Sequence, residues 1–168
     1  MKWSLLGFGG MTELLNIHPA FVHFPIALFP TALFFYIIGM VIKKPAFLLG
    51  GRICLYLAFV STIFAVWTGS DATDSFPHTE EIHEMITTHA YIGMAVFVVS
   101  LVMVVWSFFK NREGKALWSI WFLAVLIFVS YLVLQNGDIG GRMVYIQGAA
   151  VKAALPVIEK EKALEEHD

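Results

Sequence analysis

Four long stretches of this chain carry no charged residue: Pro19–Ile42, Ile53–Ser70, Met85–Phe109 and Ala116–Gly137. Crossing about 30 Å of hydrocarbon takes roughly 20 helical residues. The second stretch is the shortest, and residues 45–51 extend it across Arg52 at the interface. Inside lipid every backbone N–H and C=O needs a partner in the protein, which leaves helices or closed barrels. A barrel strand alternates apolar and polar residues over about ten positions, whereas these stretches are continuously apolar. The expected fold class is therefore all-α, an integral membrane four-helix bundle. Composition agrees: 58% of residues are hydrophobic and 14% charged, against about 25% charged in soluble domains.

The connections differ sharply in charge. The first contains Lys43, Lys44 and Arg52, and the third Lys110, Arg112 and Lys115. The second, "SDATDSFPHTEEIHE", holds Asp71, Asp74, Glu80, Glu81 and Glu84 and no lysine or arginine. Short basic loops stay in the cytoplasm. Both termini and the acidic connection are accordingly expected outside, on the periplasmic side of a bacterial inner membrane. The chain divides into an N-terminal arm (1–16), a transmembrane domain (17–137) and an outer C-terminal segment (138–168). The arm is broken by "GFGG" and lacks a small-residue cleavage site, so it reads as an interfacial arm and not a signal peptide. "NGDIGG" reads as a glycine-rich turn, and Gly69 in "VWTGSDATD" as a left-handed helix stop. The tail is either a frayed amphipathic helix or a segment lying across the outer mouth of the bundle.

All six histidines fall on the outer side or in the outer half. His18 and His23 open the first helix, and His83 and His89 lie early in the third. At 1.5 Å per residue, His23 is about 7.5 Å deeper than His18, and His89 about 9 Å deeper than His83. Intramembrane polar residues face the bundle interior and mark function. Intervals of five and six turn by roughly 140° and 240°, so neither helix offers the i, i+4 chelate of a zinc helix. One imidazole from each of two helices suits a b-type haem instead. The deep pair, His23 and His89, is the expected axial pair. Ala27 and Gly93, one turn further in, would leave room for the macrocycle edge. Arg142 is the expected partner of the propionates. His18 and His83 are candidates for a second haem or metal, and Ser130, Tyr131, Gln135 and Asn136 for imidazole partners or a quinone pocket. The single Cys54 excludes an internal disulfide and a cysteine-rich metal centre.

The segment "HPAFVHFPIAL" resembles the pattern His-Pro-x-x-Val-His-Phe-Pro-Ile-Ala-Leu of a bacterial four-helix membrane family, domain of unknown function 2231. "TG" at the end of helix two, His89 and "GGRMVY" after helix four are similar to its other landmarks, over about residues 17–148. "TGSDA" lacks the aromatic residue usual in that second landmark. The resemblance implies topology, and that His18, His23 and His89 belong to one site.

The leading expectation is a membrane cytochrome-like electron-transfer subunit, holding haem b between helices one and three. It would lie within a larger redox complex, between a quinol pool and a periplasmic c-type cytochrome. The alternatives are a histidine-rich metal site, with Asp71 or Glu84 as further ligands, and a cofactor-free assembly subunit. Lipid and other membrane redox subunits are the expected partners, and nucleic acid is not one.

Overall fold

The computed structural model describes residues 14–110 and 119–165. Its helices are α1 (His18–Ile42), α2 (Pro45–Ala72), α3 (Glu80–Lys110), α4 (Ile120–Tyr145) and α5 (Leu155–Glu165), with a 3-10 turn at Thr73–Ser75. Among the described residues there is no strand. Helices α1 to α4 are each long and apolar enough to cross a membrane, as the uncharged stretches require. The arm at residues 1–13 and the charges Arg112, Lys115 and His167 lie outside the described residues.

The four spans form a ring in which α1 packs on α2 and α4, and α3 packs on the same two. Thus α1 and α3 face one another across the diagonal. Phe29, Ala32 and Tyr36 of α1 meet Leu48, Leu55 and Ala58 of α2, Val96 and Met103 of α3, and Phe122, Leu126, Val129 and Val133 of α4. The outward faces are equally apolar, with Phe34, Trp67, Phe108 and Trp121 all exposed. With no hydrophobic difference between core and lipid, spans associate through close packing, and small residues permit it. At Gly39 a β-carbon would lie 2.7 Å from Leu48 Cδ2, and at Gly51 one would lie 2.6 Å from Tyr36 Cδ2. Those two glycines let α1 and α2 form a tight hairpin joined only by Lys43 and Lys44. Lys43 takes a left-handed conformation (φ 55°), and Lys44 N–H donates to the Gly39 carbonyl at 3.1 Å.

Both sequence expectations for glycine turns are corrected. Helix α2 continues through Gly69 to Ala72, and α4 continues through Gly137, Gly140 and Gly141 to Tyr145. These are packing glycines. A β-carbon at Gly137 would lie 3.1 Å from Ile26 Cδ1, and one at Gly140 would lie 3.3 Å from His89 Cε1. The left-handed glycine of this region is Gly148 (φ +69°), beyond the helix. Consequently α4 runs straight through the expected domain boundary at residues 137–138.

The C-terminal segment folds back on the end of the bundle that carries the acidic connection, here termed the acidic end. Ile158 of α5 is buried with Ile82 of α3 and Ala149, flanked by Phe76, Ile86, Met143 and Ala154. Glu165 accepts the free backbone N–H of Glu80 at 3.0 Å, satisfying a first-turn donor of α3 that has no intrahelical partner. Gln147 Nε2 donates to Glu81 Oε1 at 2.7 Å. The tail helix touches the acidic end through Ile158 and Glu165 and is otherwise largely exposed.

Candidate functional site

Helix α1 starts at His18, with Pro19 in its first turn, where a missing N–H costs nothing. Asn16 just before it donates to Ser75 Oγ at 2.8 Å, tying this entry to the turn that follows α2. The tie sets His18 level with the last turns of α2. There His18 Nδ1 meets Thr68 Oγ1 at 3.2 Å, and a β-carbon at Gly69 would lie 3.0 Å from His18 Cε1.

Across the diagonal, His89 of α3 places Nδ1 at 3.1 Å from the main-chain carbonyl of Asn136 on α4. Its Cε1 fits over Gly140. The His18 and His89 rings meet edge to face, their centres 6.0 Å apart and their planes at 87°. One layer at the acidic end thus joins all four spans: a histidine each from α1 and α3, a hydrogen-bond partner and a glycine each from α2 and α4.

One of the two bonds fixes its proton. The Thr68 hydroxyl also lies 2.8 Å from Phe64 O, and towards His18 its oxygen can accept or donate. A carbonyl only accepts, so the Asn136 bond requires an N–H. His89 therefore carries its proton on Nδ1, and its Nε2 lone pair is not used in that bond. This is the arrangement of a metal-binding imidazole, whose second nitrogen is held by a hydroxyl, carbonyl or carboxylate.

The remaining expected site residues are placed differently. His23 is exposed, with Nδ1 bonded to the Pro19 carbonyl of its own helix at 2.5 Å. The half-buried partner of His89 is His18, because five residues of helix turn His23 roughly 140° away from it. Ala27, one turn beyond His23, is likewise exposed, whereas Gly93 lies 3.5 Å from Asn136 Nδ2, measured from its would-be β-carbon. His83 is exposed and stacks on His78, ring centres 5.5 Å apart at 17°. Asp71 and Glu84 are exposed. Arg142 is exposed on α4, between one hollow shared with Glu81 and Gln147 and another shared with Asp138 and Tyr145. Tyr131 and Gln135 are exposed. Ser130 Oγ and Asn136 Oδ1 are buried with no partner. Among the described residues no group of three His, Cys, Asp or Glu side chains converges as a metal site.

Sequence reasoning named Asn136 as a possible imidazole partner, and it is one, through its main chain and not its amide. It missed Thr68, and it took Gly69 and Gly140 for turn glycines. The signal was present in the short landmarks "TG" and "GG", each holding a glycine where a histidine edge must fit.

The architecture defines a class: a four-span membrane bundle closed at one end by a diagonal pair of histidines. The chain belongs to the family described as "Predicted membrane protein (DUF2231)", which matches residues 14–153. No curated protein and no solved structure matches it.

Proposed function

We propose that this protein is an electron-transfer subunit of a membrane redox complex, holding one b-type haem between α1 and α3 with His18 and His89 as axial ligands. The observation that carries the reading is the meeting of two imidazoles from diagonal helices, ring centres 6.0 Å apart, each with Nδ1 hydrogen-bonded to a neighbouring span. A zinc site takes three or four protein ligands. A haem brings four nitrogens of its own and asks the protein for two.

The haem supplies a one-electron iron couple. The chain's own residues supply the rest. Thr68 and the Asn136 carbonyl orient the rings and make Nε2 more basic. Gly69 and Gly140 keep the ring edges clear, and the half-buried setting tunes the potential. The unpartnered Asn136 Oδ1 leaves an acceptor in the same layer. Arg142 stands exposed at the same end of α4, suited to carboxylates at the surface. In this reading the acidic end faces the periplasm of a bacterial inner membrane, and electrons pass between a quinol pool and a c-type cytochrome.

The experiment is a dithionite-reduced minus oxidised spectrum of detergent-purified protein. A b-type α-band is expected, lost in His18→Ala and in His89→Ala and kept in His23→Ala. A second reading, a cofactor-free subunit whose histidines close the bundle end, is favoured by the edge-to-face contact itself. A colourless protein, purified under haem-retaining conditions, would select that reading and reject the first.

A further inference from the structure

At the opposite, basic end two side chains each hold one buried polar atom without a partner. Tyr36 of α1 is 1% exposed, and its hydroxyl has no hydrogen-bond partner, nor does the buried Nη1 of Arg52 on α2. Arg52 directly follows Gly51, on which the Tyr36 ring packs. Buried polar groups in native proteins are almost always paired, so an orphaned pair asks for what completes it.

The Tyr36 ring is held in place. It packs on Phe122 with centres 5.1 Å apart, and on the backbone of Gly51, where a β-carbon would lie 2.6 Å from Cδ2. Its neighbour Tyr56 is already engaged, with its hydroxyl 3.2 Å from Ser107 Oγ on α3. Arg52 is charged at any physiological pH and can only donate. No Asp or Glu lies between Leu14 and Ser70, nor between Met85 and Lys110. The one acid of α4, Asp138, lies at the acidic end beside Arg142, so the spans offer this cation no counter-charge at its own level, and a charge buried without one is costly.

Arg52 sits about 10 Å along α2 from Pro45, and helical side chains lean toward the N-terminus. Here that direction is the Lys43–Lys44 turn, the level of the lipid headgroups. Arg52 is only half-buried, beside the exposed Leu49 and Ile53. An acceptor can therefore reach it from the lipid side of α2. Basic pockets between spans bind anionic headgroups in this way.

We infer that Arg52 and Tyr36 form a binding site for a phosphate group, supplied by an anionic lipid of the leaflet at the basic end. The half-buried guanidinium provides charge and donors at the lipid side, and Tyr36 backs it from inside the bundle. This site is independent of the histidine layer.

The test uses the full chain in detergent, with thermal melting and native mass spectrometry against phosphatidylglycerol, diacylglycerol and inorganic phosphate. Phosphatidylglycerol is expected to raise the melting temperature by several degrees and to remain bound in the mass spectrum, and diacylglycerol to do neither. Arg52→Gln should lose at least half of the shift, Tyr36→Phe a smaller part, and Arg52→Lys should retain most of it. An equal shift from inorganic phosphate would support the site and identify a free anion as its source. Equal stabilisation of Arg52→Gln by phosphatidylglycerol, or equal retention of diacylglycerol by the wild type, would overturn the inference. So would Glu113→Gln reproducing the loss of stability of Arg52→Gln with the lipid shift intact, since that acid would then be the counter-charge. Retention by the wild type decides the matter even where a variant fails to fold.

Discussion

Gly69 and His18 are fitted to one another across the α1–α2 contact: a β-carbon at position 69 would lie 3.0 Å from His18 Cε1. That is tight enough to displace the ring. Gly69→Val should destabilise the bundle by about 1–3 kcal/mol, the usual range for overpacking. For a chain of this size about 1 kcal/mol corresponds to roughly 2–4 °C of melting temperature. Gly69→Ala should act in the same direction and less strongly. A melting curve in detergent checks both, and an unchanged midpoint in Gly69→Val would show that the imidazole does not occupy this notch.

Thr68 is expected to matter through its oxygen and not its shape. Thr68→Val leaves His18 Nδ1 without its hydrogen-bond partner, which costs about 1–3 kcal/mol for a buried polar group. Thr68→Ser keeps the oxygen and should restore most of the loss. If Val and Ser variants melt alike, the bond is not a source of stability.

On the proposed reading one haem per chain is expected, because the other members of the set, His23 and His83, are exposed. A pyridine haemochrome assay on purified protein should return a haem-to-chain ratio near one. A ratio near two would bring His23 or His83 back as a ligand.

How much of this was legible in the sequence depends on the kind of signal. The four spans were, because a long run without charge suits a bilayer and little else. Which histidine faces His89 was not. Amphipathic helices of soluble proteins betray their buried side by a polar stripe, but Phe34 and Trp67 outside are as apolar as Phe29 and Leu55 inside. Without that stripe the rotation of α1 stays undetermined, and His18 and His23 look equivalent. Gly69 and Gly140 were misread for a related reason. A glycine that ends a helix and one that admits a neighbour are the same letter, and only the neighbour tells them apart. The Tyr36–Arg52 pair escaped notice because Arg52 was counted with the loop charges.

The C-terminal helix should open on its own. It is anchored mainly through Ile158 against Ile82 and Ala149 and through Glu165 on Glu80, and small anchors of this kind open locally. Ile158→Asp should make residues 155–165 protease-sensitive and raise their hydrogen exchange by at least tenfold. The melting temperature of the four spans should stay within about 2 °C of wild type, since surface segments outside the core contribute little to it. A comparable fall in the melting of the whole bundle would show the helix to be integral to it.

The two imidazoles are held by oxygens of different heritability. His18 depends on a hydroxyl that a single codon change at position 68 can remove. His89 depends on a main-chain carbonyl that every residue at position 136 would carry. Drift over generations should therefore be confined to Ser or Thr at 68. At 136 it is free to explore any side chain that fits the bundle, so one half of the site is exposed to mutation while the other is shielded by the backbone itself.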